Sequence, residues 1–320
     1  MTGSGWAASR LSDALIDVQK DISGQRETTV YILCDPILGD PAASWLDENL
    51  DVPEPQRISC ALGRDMQPYL LAVPQGHAGE LLLQASVERA LDEAEYASTN
   101  VPAPRSVCAW LVLETSASPD FCRELARKAR SPFAGDKESA GLFRYWDPRV
   151  FVHLPRVLGA SFENWFGFPV RWRWIDGSGA LREMRITPTT DASPTSTHYI
   201  ADAMRESLEN LQYINQVLVH TGLIAQGREA DHGVVVERHV RQARRLGCAT
   251  SRDIVMYAAT SLQIGAHFEG APCLKALMQP FVAQQVAFAQ IAMGVPDALW
   301  AQAQSELASA RHLEDGVMSQ

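Results

Sequence analysis

Thr28-Thr29-Val30-Tyr31-Ile32-Leu33-Cys34-Asp35 is an unbroken run of β-branched and apolar residues that stops on an acid. Such a run reads as a strand buried on both faces, because a strand with one wet face would alternate polar and apolar residues. Upstream, Leu11, Leu15, Val18 and Ile22 recur at helical spacing until Gly24, which predicts an amphipathic helix. Downstream, a short helix is expected over Pro41 to Leu50, with strands over Arg57 to Leu62 and Pro68 to Val73. A longer helix follows over Glu80 to Glu95, between Gly79 and the Pro102-Ala103-Pro104 break. Val107 to Glu114 repeats the unbroken strand pattern, and Pro119 to Arg130 reads as a helix with Asp120 in its first turn. Apolar strands alternating with helices predict an α/β N-terminal lobe, its sheet mostly parallel or mixed and flanked by helices.

Val170 to Ile175 alternates Val170, Trp172 and Trp174 with Arg171 and Arg173. The turn Asp176-Gly177-Ser178-Gly179 then returns the chain through Leu181 to Ile186. This is a β-hairpin with one aromatic face and one charged face, on which Arg171 or Arg173 can pair with Glu183. Thr187 to Thr197 is rich in Thr, Ser, Pro and Asp and has no periodicity. Beyond it Tyr199 to Ile224, Val234 to Leu246, Ser251 to His267, Pro280 to Met293 and Pro296 to His312 read as helices. The expected organisation is an α/β domain over 1–190, a linker over 191–197 and an all-α C-terminal lobe over 198–320.

The chain of 320 residues is 46% hydrophobic and 21% charged, an ordinary globular composition able to build two cores. Its formal net charge of -10 argues against nucleic acid and anionic lipid as partners. Six cysteines are scattered without a Cys-x-x-Cys pair or a histidine at metal-ligand spacing, so free thiols in a reducing cytoplasm are expected. The N-terminus has no signal-peptide pattern, being interrupted by Asp13, Asp17 and Asp21, and no apolar run approaches membrane-spanning length.

The densest local signal is Gly141-Leu142-Phe143-Arg144-Tyr145-Trp146-Asp147-Pro148-Arg149-Val150-Phe151. It reads as a strand end entering a helix. Pro148 suits the first helical position, which makes Asp147 the N-cap, and Arg144 and Arg149 can pair with Asp147 or a neighbouring carboxylate to lock the turn.

This run, with Trp165-Phe166-Gly167 and Trp172 after it, resembles the type VI secretion adaptor-chaperone family, the Tap or TEC proteins. That family carries an Arg-Phe-Tyr-Asp-Pro-Arg-Val run, a Phe-Phe-Gly-like run and a Trp-bearing strand. Here Arg144, Asp147, Pro148 and Arg149 match the first, and Trp146 stands where the family often has Tyr. Thr29 to Asp35 is similar to the family's opening strand. The resemblance implies a cytoplasmic adaptor, not an enzyme and without a cofactor, which binds a toxic effector and helps load it onto the VgrG spike protein.

Other chemistry has weaker support. Asp35 and Asp147, if both stand at the carboxyl ends of strands, could hold Mg²⁺ while Arg144 steadies a phosphoryl group; that would make a metal-dependent α/β enzyme acting on a phosphorylated or nucleotide ligand. No Gly-rich phosphate loop or third acid accompanies them, and no Gly-x-Ser-x-Gly or His-Glu-x-x-His motif occurs. His232 and His239 lie two helical turns apart, too far to share one metal ion, and are expected at the surface or as caps. A transcriptional regulator is disfavoured by the acidic balance.

Partner contacts are expected from two groups. Trp165, Phe166 and Trp172 belong to an aromatic concentration, mostly core, from which one or two rings would serve a partner. Arg238, Arg241 and Arg245 share one helical face suited to an acidic strip. Apolar stripes over Ile254, Ala258, Leu262 and Gly265, and over Val282, Val286, Ala289 and Met293, would form a bundle core or a groove.

Overall fold

The computed structural model describes residues 28–188 and 200–317, apart from 48–49, 61, 101–102, 104, 114–118, 131–132 and 134–141. The expected N-terminal helix and the expected linker core at 191–197 lie outside the described residues. The chain divides into two compact units: Met1–Leu208 with Ile224–Glu229, and Glu209–Leu223 with Ala230–Gln320.

The first unit is built on one six-stranded sheet. In chain order the strands are β1 (Thr29–Cys34), β2 (Gln56–Arg57), β3 (Tyr69–Ala72), β4 (Val107–Leu113), β5 (Val170–Ile175) and β6 (Leu181–Ile186). They lie side by side as β2-β3-β1-β4-β5-β6, and every neighbouring pair is antiparallel. The expectation of a mostly parallel or mixed sheet is therefore wrong. Helix α1 (Pro41–Asp47) lies between β1 and β2. β3 and β4, joined through helix α2 (His77–Ala97), do run in the same direction, but β1 is inserted between them and opposes both.

The expectation that both faces are covered holds, and it explains the unbroken apolar runs. On one face, Val30, Ile32, Tyr69, Leu71, Trp110 and Val112 pack with Leu82, Leu83, Val87, Ala90 and Ala94 of α2. At the start of α2, a Cβ on Gly79 would stand 1.9 Å from the Pro74 carbonyl oxygen, so only glycine lets the helix approach the end of β3. On the other face, Tyr31, Leu33, Ala109 and Leu111 pack with Phe121, Leu125, Ala126 and Ala129 of helix α3 (Pro119–Arg130). Cys108 is the extra residue of a bulge: Leu33 faces Ala109 and Cys34 faces Val107.

The second covering layer is completed by helix α4 (Pro148–Phe151), helix α5 (Leu154–Leu158) and helix α6 (Phe162–Phe166). Their rings interlock with the hairpin. Phe151 stacks on Trp172 with centroids 4.5 Å apart, while Phe166 meets Trp172 edge-on at 5.5 Å.

The second unit is helical. It takes most of helix α7 (Arg205–His220) and helix α8 (Glu229–Arg245), then helices α9 (Ser251–Ile264), α10 (Lys275–Val282), α11 (Phe288–Ala292) and α12 (Asp297–Val317). Tyr257, Phe268, Phe281 and Phe288 form its aromatic centre, with centroids 5.0 to 5.8 Å apart. The single helix expected over Pro280 to Met293 is instead two, because Pro280 lies inside α10 and Gln284 adopts a φ of 57° beyond its end. The stripe expected there is not formed: Ala289 is buried, but Val282 and Met293 are exposed.

Candidate functional site

The Asp-Pro-Arg turn folds as its local chemistry dictates. Asp147 is the N-cap of α4, accepting the Arg149 N–H at 3.0 Å, and Pro148 occupies the first helical position. The Arg149 guanidinium grips the same carboxylate with two bonds, Nε to Oδ1 at 2.9 Å and Nη2 to Oδ2 at 2.7 Å. Its Nη1 donates to the Ala103 carbonyl at 3.2 Å. Among the described residues no strand leads into this turn: residues 142–144 have no regular structure and are pinned by the Phe143 N–H on the Ala129 carbonyl. Asp147 therefore does not stand at the end of a strand, contrary to expectation.

Asp35 does, immediately after β1. It is 1% exposed, and its Oδ2 accepts Trp146 Nε1 at 2.7 Å and Arg144 Nε at 2.8 Å, while its Oδ1 accepts the Ile37 N–H at 3.1 Å. Arg144 also reaches Asp147, at 3.9 Å. The two acids singled out in the sequence are thus brought together, but around a guanidinium. Burial by itself would push the Asp147 carboxyl up; Arg149, Arg144 and Arg105 overcome it and hold it at about 2.

Two further buried charges complete the corner. Glu93 of α2 accepts the Ser106 N–H at 2.7 Å, the Ser106 hydroxyl, the Val107 N–H at 3.3 Å and Arg89 Nε at 2.7 Å. Arg105 is 2% exposed and donates to the Ile175 carbonyl; burial pushes its pKa down, opposed by Asp147 and Glu93. Four guanidiniums, those of Arg89, Arg105, Arg144 and Arg149, thus face the carboxylates of Asp35, Glu93 and Asp147. Sequence reading missed Glu93 and Arg105. The signal for Glu93 was an acid three residues after Ala90 on the buried stripe of α2. Arg105, next to a proline in a loop, offered none.

The donors around Asp35 and Asp147 occupy the lone pairs that a cation would need, and no cluster of three potential metal ligands occurs among the described residues. The corner joins the end of β1, the start of β4 and the entry to α4, which makes it a structural clamp.

The aromatic partner candidates are elsewhere and enclosed. Trp165 is 2% exposed, and Phe166 and Trp172 are fully buried in the core of the first unit. These three rings are enclosed by others: Trp165 meets Tyr145 at 5.3 Å and Phe166 at 5.3 Å. Beneath Trp165 lies an unexpected charge. The Lys128 amine is buried 5.4 Å from the ring centroid and 3.6 Å from Glu124, and burial pushes its pKa down to about 8.

The arginine face on α8 is at the surface. Arg238 and Arg245 are exposed, and Arg241 is half-buried and bonded to Glu237 at 2.9 Å. Val234, one turn before Arg238, is also exposed, so the stripe carries an apolar residue beside its charges. His239, expected at the surface or as a cap, is buried instead, with Nδ1 2.8 Å from Ser261 Oγ; burial lowers its pKa, and Arg238 and His267 add to this.

Comparison with protein-family models, with curated proteins and with solved structures gives no match. No helix among the described residues is long and apolar enough to cross a membrane.

Proposed function

We propose that this chain is a cytoplasmic adaptor chaperone that binds a toxic type VI secretion effector and promotes its loading onto the VgrG spike. The reading starts from the resemblance carried by Arg144 to Val150, Trp165-Phe166-Gly167 and Trp172. The observation that supports it best is the use made of the Asp-Pro-Arg corner: its buried carboxylates are engaged by guanidiniums, indole and backbone, an arrangement suited to holding a scaffold in shape. On this reading the chemistry of binding lies on surfaces. Val234, Arg238 and Arg245 on α8 form a mixed apolar and basic stripe that fits an acidic amphipathic segment of the cargo.

The test is co-expression of the full chain with the toxin encoded beside it, followed by size-exclusion chromatography. A complex is expected for the wild type and not for the Arg238→Glu, Arg245→Glu double variant. Failure of the wild type to retain the toxin refutes the adaptor function; equal retention by the variant refutes the assignment to α8.

A further inference from the structure

A short stretch of chain is seated on the turn of the β5–β6 hairpin. Ile224–Glu229, in the connection between α7 and α8, belongs to the first unit. Its last residue, Glu229, is buried and accepts the Gly177 N–H at 2.7 Å. The Gly227 carbonyl accepts Arg182 Nη2 at 3.0 Å, and the same guanidinium donates through Nε to Asp176 at 2.6 Å. Ile224 is buried against Gly177, where a Cβ would stand 2.5 Å from Ile224 Cγ1 and 2.8 Å from Glu229 Oε1, so only glycine lets the segment come so close. The seat brings two acids together. Asp176 is also buried, and the Ser178 N–H, the Ser178 hydroxyl, the Ala180 N–H and Arg182 all donate to it. Burial first, and then the Asp176 charge, push the Glu229 carboxyl up, against the backbone N–H groups of Glu229 and Gly177 and the guanidinium of Arg105. On its own segment Arg228 precedes Glu229, and Asp231 follows in α8.

We propose that Ile224–Glu229 is a proton-controlled latch, held firmly on the hairpin turn when the Glu229 carboxyl is neutral and eased when it is ionised. A neutral carboxyl keeps a carbonyl oxygen for the Gly177 N–H and loses its repulsion from Asp176, so protonation improves the seat without breaking its bond. An ionised carboxylate takes the stronger bond from that N–H, but burial and Asp176 outweigh the difference. The seated group therefore binds its proton more tightly than the released one. The added firmness is complete below the ordinary value of 4.5 and is lost as pH rises through the raised one. Glu229 is also the first residue of α8, so the latch governs whether that helix starts from a fixed point.

The test is amide hydrogen exchange on the full-length chain at about pH 5.5 and about pH 7.5, with each rate divided by the intrinsic chemical rate at that pH. Protection over 176–180 and 224–229 is expected to be about threefold or more higher at the acid pH, while β4, the internal reference, stays constant. Glu229→Gln is neutral and keeps the acceptor, so it should show the firm level at both pH values. Gly177→Ala drives a Cβ into Ile224 and should lose protection over 224–229 at both. The latch is overturned by wild-type protection that does not change with pH, by a pH response that Glu229→Gln retains, by a Gly177→Ala segment as protected as the wild type, or by a response of equal size in β4. The wild-type comparison decides the matter even where a variant does not fold.

Discussion

Replacing Asp147 by Asn removes a charge while keeping the cap, since both residues serve well at an N-cap. The Asp147 carboxyl sits at about 2 in the folded chain against an ordinary 3.8. At about 1.4 kcal/mol per pKa unit, that difference is worth roughly 2.5 kcal/mol of stability. The pKa is depressed in the folded state, so this contribution is complete above the unfolded value and is lost as pH falls through the folded one. By pH 3 about half of it is gone. Asp147→Asn also leaves Arg149 and the buried Arg105 without the carboxylate they share, which places the expected loss at pH 7 at about 3 kcal/mol. Guanidinium chloride unfolding followed by tryptophan fluorescence reads this directly, because Trp146 donates to Asp35 in the same corner. The penalty should shrink by roughly 1 kcal/mol between pH 7 and pH 3. A penalty under about 1 kcal/mol at pH 7, or one independent of pH, would refute the claim that the corner is held by that charge.

Lys128→Met should stabilise the chain by about 1 to 3 kcal/mol at pH 7, because a thioether needs no solvation beneath Trp165. The gap to wild type should narrow above pH 8, where the folded chain releases the proton that the unfolded chain keeps; thermal melts of both proteins at pH 7 and 9 check it. Gly79→Ala must drive a Cβ into the Pro74 carbonyl and should cost about 3 kcal/mol or more, or abolish folding, as judged by soluble yield and circular dichroism. In the helical unit, Asp253→Ala deprives the buried Ala289 N–H of its acceptor at 2.9 Å and the Thr250 hydroxyl of its acceptor at 2.7 Å; a loss of about 2 kcal/mol in denaturant titration is expected.

What the sequence discloses is what neighbours along the chain decide. Asp147, Pro148 and Arg149 form their cap and bidentate pair within three residues, so their geometry follows from residue type alone. The hairpin with its Arg173–Glu183 pair and the helix over Pro119 to Arg130 are legible for the same reason. Strand direction is not. The apolar runs at β1 and β4 report burial on two faces, which both parallel and antiparallel central strands require, and only the insertion of β1 between β3 and β4 decides between them. The clamp around Asp35 was half visible: Arg144 and Trp146 lie more than a hundred residues away from it, and Glu93 and Arg105 join from other elements. For Trp165, Phe166 and Trp172 the sequence supplies rings but not their neighbours, and it is ring against ring that hides them.

The position of β1 has a consequence for how the protein comes into being. Among the six described strands it leaves the ribosome first, yet its two neighbours, β3 and β4, begin 35 or more residues after it ends. Until both arrive, a sticky ribbon whose residues Ile32 and Leu33 are wholly enclosed in the finished molecule has two open sides. A nascent chain stalled before Val107 should therefore be the form most prone to clump, and translation pauses past that point should favour a sound product.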